Sequence, residues 1–274
     1  MPRSALIFHR EAVEDGALAG LRGLAELLCA LALSAPAMAD LPTAREAYAA
    51  GDFARAETLA SADPSAEAQA FAAGAALALL MADQTSDRRS TAGRLLTHAR
   101  GAVTADDTLA DAHLRMAAAI GFEGRYVGTL RAFMRRLPQQ GHSHIQQAMT
   151  LDGDDPWGVA MLGAWHFEVV RRGGGRALGA SLAEGMAAYG EAIARAPDDP
   201  VIAYFFAVAL LASGEAAYMD AARAQLARSA ELPPREGLDA ALDTAISTRA
   251  RMLLRAFEDD PAHAARLAVV EMER

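Results

Sequence analysis

The segment Ala148-Met-Thr-Leu-Asp-Gly-Asp-Asp-Pro156 is echoed 44 residues later by Ala192-Ile-Ala-Arg-Ala-Pro-Asp-Asp-Pro200. An Asp in this position accepts hydrogen bonds from the free amides of a first helical turn, and the following Pro needs no amide and already has a helical φ angle. Self-similarity at a fixed spacing is typical of repeat proteins. The two segments therefore predict helices that begin after Asp155 and Asp199 in successive repeats.

Similar signals occur elsewhere in the chain. Asp63-Pro64 and Asp260-Pro261 predict two more helix starts. Thr43-x-x-Glu46 and Ser181-x-x-Glu184 have the spacing of capping boxes. Between these points apolar residues recur at helical spacing, and no stretch alternates as a strand would. The predicted helices span 43–50, 53–62, 65–82, 87–104, 109–122, 127–136, 139–151, 156–171, 181–196, 200–213, 216–231, 236–257 and 261–272.

The composition favours the all-α class and limits the range of partners. Ala dominates, and the strong helix formers outweigh the β-branched and aromatic residues that suit strands. All 26 basic residues are Arg, which we interpret as the codon bias of a GC-rich genome rather than as a phosphate site. The net charge of −9 argues against nucleic acid and anionic lipid, since both attract basic surfaces. We therefore expect no nucleic-acid partner.

An apolar stretch near the N-terminus has the features of a signal peptide. The stretch 24–39 follows Arg22 and ends in the Ala-x-Ala pattern that precedes a cleavage site. The sequence therefore predicts a signal peptide at residues 1–39. The mature chain, residues 40–274, would then be a periplasmic protein.

Two alternatives to a cleaved signal are a permanent membrane anchor and an ordinary helix of the folded protein. A permanent membrane anchor is not expected, because a spanning helix needs about 20 apolar residues and Glu26 interrupts this stretch. The leader is long and carries acidic residues where basic ones are usual, so residues 16–35 could instead form an ordinary amphipathic or buried helix. Cys29 is the only cysteine of the chain. If cleavage occurs, the mature chain has neither a disulfide nor a thiol nucleophile.

The segment with the strongest echo also has a family pattern. Leu162-Gly163, with His166 where Tyr is usual, is followed by Tyr189, Ala192 and Pro197. This segment resembles tetratricopeptide repeats, in which a Leu-Gly-aromatic helix is followed by an Ala-aromatic helix and a closing Pro. Two weaker copies contain Phe206-Ala207, Leu210, Gly214, Ala221, Ala224 and Pro233, and Tyr48, Gly51-Asp52-Phe53 and Ala56.

The match departs from the family pattern at several positions. Val159 stands where Trp is expected, Gly185 replaces an Ala, and residues 171–180 insert an Arg- and Gly-rich loop. Residues 140–232 are similar to exported tetratricopeptide-type proteins of proteobacteria, whose biochemical role is not defined. The resemblance implies an all-α solenoid of antiparallel helical hairpins over residues 40–274.

One helix and its end contain the densest group of side chains of a functional type. The group consists of Trp165, His166, Glu168, Arg171 and Arg172. In one interpretation these side chains form a ligand or peptide pocket, and Arg176 closes the Gly-rich loop over a bound carboxylate. In the other, Trp165 and His166 pack neighbouring repeats and the Arg-Gly run is a solvated loop. Tyr204, in an aromatic run on the predicted helix 200–213, could line a groove.

The motifs of common enzymes and metal sites are missing from the sequence. His142-Ser-His144 has no third ligand nearby, whereas a zinc site has three or four ligands. No His-Glu-x-x-His, paired Cys, phosphate-binding loop with Lys or Gly-x-Ser-x-Gly occurs. We therefore expect no metal, no cofactor and no enzymatic activity. The pairs Arg88-Arg89 and Arg135-Arg136 are interpreted as solvated faces that pair with acidic residues.

Two hypotheses of different class follow. The first is a periplasmic adaptor whose concave face, lined by the first helix of each hairpin, holds a protein or peptide segment. The second is a small-molecule-binding accessory protein of an envelope transporter, in which Arg171, Arg172 and Arg176 hold an anionic ligand. A hydrolase ranks third, because no nucleophile and base are paired.

Overall fold

The computed structural model describes residues 41–273, and this part of the chain has fourteen α-helices, one 3-10 helix and no strand. The prediction of an all-α protein is confirmed. The predicted signal peptide lies outside the described residues. The helices are α1 (Leu41–Ala49), α2 (Phe53–Ser61), α3 (Ala66–Met81), α4 (Arg88–Ala105), α5 (Ala110–Val127), α6 (Thr129–Met134), α7 (Leu137–Leu151), α8 (Pro156–Arg171), α9 (Gly175–Leu178), α10 (Leu182–Arg195), α11 (Pro200–Ala212), the 3-10 helix η1 (Ala216–Tyr218), α12 (Met219–Glu231), α13 (Ala240–Asp259) and α14 (Pro261–Glu273).

Most of the predicted helix starts are confirmed by their caps. Asp155, Asp199 and Asp260 each accept hydrogen bonds from first-turn amides at 2.8 to 3.0 Å. Ser181 accepts from the amide of Glu184 at 3.2 Å, as the capping-box spacing predicts. These contacts are local in sequence, which is why the helix bounds could be predicted to within a few residues.

Two predicted starts and one loop are wrong. Helix α3 begins at Ala66, because Ser65 caps it and Asp63 instead accepts from the Ser65 amide in a local turn. Thr43 lies inside α1, which already includes Leu41, so it does not open a helix. The inserted segment 171–180 is not a plain loop, because it contains the short helix α9.

The helices pack as successive hairpins. The pairs are α1 with α2, α3 with α4, α5 with α7, α8 with α10, α11 with α12, and α13 with α14. Short connections make the partners of such a pair antiparallel. Ala is the commonest residue of the interfaces, and its small side chain lets the helices approach closely.

The first helices of the hairpins form an inner row. In this row α3 contacts α5, α5 contacts α8, α8 contacts α11, and α11 contacts α13. The row then closes, because α13 also contacts α1: a Cβ added to Gly51 would lie 3.3 Å from the Cβ of Ala241. Residues of the first and last hairpins, such as Tyr48 and Ile246, belong to one apolar core.

Helix α11 is the most enclosed element, with twelve of its thirteen residues buried. A helix that is apolar on all sides belongs in a core, and α11 is covered by α8, α12, α13 and the C-terminal helix α14. Helix α14 therefore lies against the inner row. None of the helices in residues 41–273 has the length and apolar character needed to cross a membrane.

Candidate functional site

Two adjoining cavities, which share part of their lining, lie among the inner helices. The central cavity, of about 430 Å³, is bordered by α1, α3, α5, α8, α11, α13 and α14. The side cavity, of about 250 Å³, is bordered by α5, α6, α7, α8 and α14. Most of the lining is apolar, as in small-molecule sites. The residues that line both cavities are Ala118, Phe122, Arg125, Met161, Ala164 and Met272.

The central cavity also contains charged side chains of both signs. They are Arg88, Arg115, Arg125 and Arg235, with Asp111, Asp155, Asp239 and Glu271. Arg115 pairs with Asp111 at 2.9 Å, and Arg235 bonds to the buried Asp243 at 2.8 Å. Arg88 donates to the Leu80 carbonyl at 3.0 Å. The cavity wall is thus largely neutralised by its own ion pairs.

Arg125 is different from these residues. Its guanidinium carbon lies 4.3 Å from the centroid of the Phe122 ring, an arrangement that gives a cation–π attraction. Within residues 41–273 it forms no ion pair and no hydrogen bond to a side chain. Burial lowers the pKa of Arg125, and the cations Arg88 and Arg172 lower it further, while neighbouring carboxylates act in the opposite direction. Arg125 thus places beside both cavities a positive charge that no described residue meets in an ion pair.

Three of the predicted site residues line the side cavity: Trp165, Glu168 and Arg172. The indole N–H of Trp165 donates to the Pro138 carbonyl at 2.8 Å, and its ring stacks on His142 at 4.3 Å between centroids. Trp165 is therefore fixed as a wall of the cavity between α8 and α7.

Glu168 joins the arginines at the end of α8. It accepts hydrogen bonds from Arg171 at 2.9 Å and from Arg172. Arg171 also reaches Glu273 of α14 at 3.4 Å. Burial alone would raise the pKa of Glu168, but the hydrogen bond from Arg171 and the charges of both arginines outweigh it, so the pKa is lowered. Glu168 therefore stays ionised and keeps both guanidinium groups engaged.

The other four predicted residues line neither cavity; Arg171 is held by Glu168 and Glu273 as described, and the remaining three are placed as follows. His166 is buried between α8 and α10, where its Nδ1 accepts from the Ser181 amide at 3.3 Å. Arg176 is exposed on α9 and lines neither cavity. Tyr204 is buried, and burial raises the pKa of its hydroxyl, which bonds to Arg249. The structure thus separates the predicted cluster into a cavity wall and packing residues.

The arginines of the central cavity were not among the predicted site residues. Arg115, Ala118, Phe122 and Arg125 recur at the spacing of one helical face of α5. This stripe, with an arginine at each end, is the sequence pattern from which a cavity wall on α5 could have been predicted. Arg88, interpreted as part of a solvated pair, is instead half-buried and lines the cavity.

The residues of the pair His142 and His144 have different neighbours. His142 stacks on Trp165, and His144 Nδ1 lies 2.8 Å from His113 Nδ1. One of these two nitrogens must donate and the other accept, so at least one ring is neutral. In the part of the chain that the structure describes, no three His, Cys, Asp or Glu side chains are arranged to hold a metal ion.

Comparisons with known proteins give no relative. No protein-family model matches the chain, no curated protein matches it, and no solved structure matches it. The described helices define the class: an all-α protein of packed helices, compatible with a helical repeat protein, with two adjoining cavities between them.

Proposed function

We propose that this protein is an exported, non-enzymatic binding protein, built as a tetratricopeptide-like α-solenoid, that holds a small organic molecule in its cavities. One observation carries the proposal: two adjoining, mainly apolar cavities of about 430 and 250 Å³ lie among the inner row of helices. Small-molecule sites are concave, mostly apolar and furnished with a few polar groups.

The repeat interpretation is supported by the way the hairpins are built. Helices α8 and α11 both begin at an Asp-Pro pair, and each is the first helix of a hairpin. Tyr189 of the best repeat copy packs directly over Gly163. These are the relationships that the tetratricopeptide-type pattern implies.

The closure of the inner row favours a small ligand over an extended chain. An adaptor needs an open concave face, whereas here α13 meets α1 and α14 lies on α11. Partly open cavities between the inner helices remain in place of a long groove. Two of the arginines predicted to hold an anionic ligand are not placed to do so. Arg171 already forms ion pairs with Glu168 and Glu273, and Arg176 lines neither cavity.

The direct test is to look for a bound molecule. The protein is purified from the periplasm and denatured in organic solvent, and the extract is analysed by mass spectrometry for a compound present in stoichiometric amount. Ala164 lines both cavities, so Ala164→Phe should fill the space where they meet and abolish retention. Ala54→Phe, at an exposed position of α2, is the matched control. The proposal fails if neither the natural protein nor either variant releases a compound and no member of a diverse ligand set raises the melting temperature.

A second candidate, a periplasmic adaptor for a protein or peptide, is favoured by helix α14. This helix of the chain itself lies on the inner helix α11, and its Glu273 reaches Arg171 of α8. The inner face therefore accepts a helix. Crosslinking in living cells should then capture one envelope protein whose binding is reproduced with purified components. Capture should be lost in Trp165→Ala and Arg172→Ala but retained in Arg55→Ala, an exposed position on α2.

Export is tested separately. The mass of the mature protein should correspond to a chain that begins at Asp40. A chain that retains the preceding residues would contradict both the signal peptide and the periplasmic location.

A further inference from the structure

Arg125 stands apart from the other arginines of the two cavities. Arg88, Arg115, Arg172 and Arg235 each have a carboxylate oxygen at 2.9 Å or closer. Within residues 41–273, Arg125 has only the Phe122 ring as a defined partner. A guanidinium group offers five N–H donors, so the donors of Arg125 remain available to a molecule in the cavity.

The energetics favour an anion at this position. A half-buried charge has lost part of its hydration and is stabilised by a nearby opposite charge. The ring of Phe122 offsets only a part of that loss. The charges around Arg125 are of both signs, with Glu168 and Glu271 opposed by Arg172 and Arg88, and neither carboxylate is in ion-pair contact with it within residues 41–273. A carboxylate is the natural complement, because its two oxygens match the guanidinium fork.

The pairing of the charged side chains sets the charge of the ligand. The side cavity is lined by two arginines, Arg125 and Arg172, and by one acid, Glu168. Glu168 is already bound by Arg172. Arg125 is thus the one guanidinium of the described wall without a carboxylate in ion-pair contact, and the fitting molecule brings a single carboxylate to it.

The lining and volume of the side cavity set the size and polarity of the ligand. Apart from the charged groups and Thr129, the wall consists of apolar or small residues, including Phe133, Ile145, Trp165 and Val169. A cavity of about 150 Å³ accepts benzene, which has six carbon atoms. A volume of about 250 Å³ therefore suits about ten non-hydrogen atoms, by proportion.

We propose that the side cavity binds a monoanionic carboxylate of about ten non-hydrogen atoms in all, its carboxylate on Arg125 and its hydrocarbon part between α5, α7 and α8. Octanoate has this size and charge. The inference rests on the proposed function and names the ligand class and the head-group contact for it.

The test uses the mature protein and isothermal titration with octanoate, octanol and octylammonium. Octanoate should bind at least about tenfold more tightly than the other two, since a hydrogen bond to a charged partner has that effect. Arg125→Met should weaken octanoate about ten- to hundredfold and leave octanol unchanged. Arg125→Lys, which keeps the charge, should recover part of the affinity. Arg100→Met, at an exposed position of α4, should bind octanoate as the unaltered protein does.

Two results would overturn the assignment: octanol binding as tightly as octanoate, or an unchanged octanoate affinity in a folded Arg125→Met protein. If octanol binds as tightly as octanoate and Ala164→Phe abolishes its binding, the cavity still holds small molecules, and only the assignment of Arg125 as an anion site is overturned. If none of the three binds, the assignment falls, and the solvent extraction decides the proposed function independently. Circular dichroism establishes that each variant is folded.

Discussion

Gly163 of α8 and Tyr189 of α10 are so close that a Cβ built on Gly163 would lie 2.7 Å from the Cδ2 atom of Tyr189. Tyr189 in turn stacks on Phe206 of the next hairpin, with 4.6 Å between ring centroids. The glycine thus lets one aromatic side chain join two successive hairpins. Four predictions follow from this and other contacts.

Gly163→Ala should lower the free energy of unfolding by about 1–3 kcal/mol, the usual cost of overpacking a core. The ring of Tyr189 cannot retreat, because Phe206 lies behind it. Urea denaturation measures the change. Gly190→Ala is the matched control, because a Cβ there meets no atom within 4 Å and Ala favours the helix by up to about 1 kcal/mol. Equal stability of the two variants would contradict the close contact.

Asp243→Asn should destabilise the protein by about 3 kcal/mol, the lower end of the range for breaking a buried ion pair. Asp243 is fully buried and accepts from Arg235 through the backbone N–H at 2.9 Å and through Nε and Nη2 at 2.8 Å. In the variant, Arg235 would remain partly exposed and would keep its ion pair with Asp199, which limits the loss of stability. Chemical denaturation should show a much smaller effect for Glu215→Gln, at an exposed position. A loss below about 1 kcal/mol would mean that the pair is not formed.

Acidification should weaken the fold through His144. Burial lowers the pKa of His144, and the charge of His113 lowers it further. Below the ordinary histidine pKa of about 6.5, the unfolded chain binds a proton that the folded chain does not. The free energy of unfolding therefore falls as the pH drops through the interval between that value and the lower folded pKa.

Denaturation at pH 7.5 and at pH 5.5 measures this effect, and the upper pH lies above the interval. The decrease in the free energy of unfolding from pH 7.5 to pH 5.5 should be smaller in His144→Gln than in the unaltered protein. His263→Gln, at an exposed position, should keep the full loss. An identical loss in all three proteins would exclude His144 as the cause.

Ser181→Ala should cost about 1 kcal/mol, as expected for a lost helix cap. The Ser181 hydroxyl accepts from the Glu184 amide at 3.2 Å and donates to its carboxylate at 3.0 Å. Thermal unfolding measures the effect, with Ser181→Asp as the variant that restores a cap. The cap has no role if Asp fails to recover the stability lost with Ala.

Part of the candidate site could be predicted because its members lie on one helix. Trp165, Glu168 and Arg172 are spaced by three and four residues, which places them on one face of α8 and its C-terminal end. His166 is only one residue from Trp165, yet it faces α10 and the Ser181 amide. Residue type alone grouped these side chains, whereas helical geometry separates them.

The amino-acid sequence by itself determined the helices and most of their bounds, because Asp and Ser caps, Pro and apolar spacing act within a few residues along the chain. Only the tertiary structure decided that α13 returns to α1 and that Arg125, beside a cavity that Trp165 also lines, forms no ion pair with any residue of the described part of the chain. Contacts between distant segments depend on how the angles between successive hairpins accumulate. The sequence pattern within one hairpin does not determine these accumulated angles.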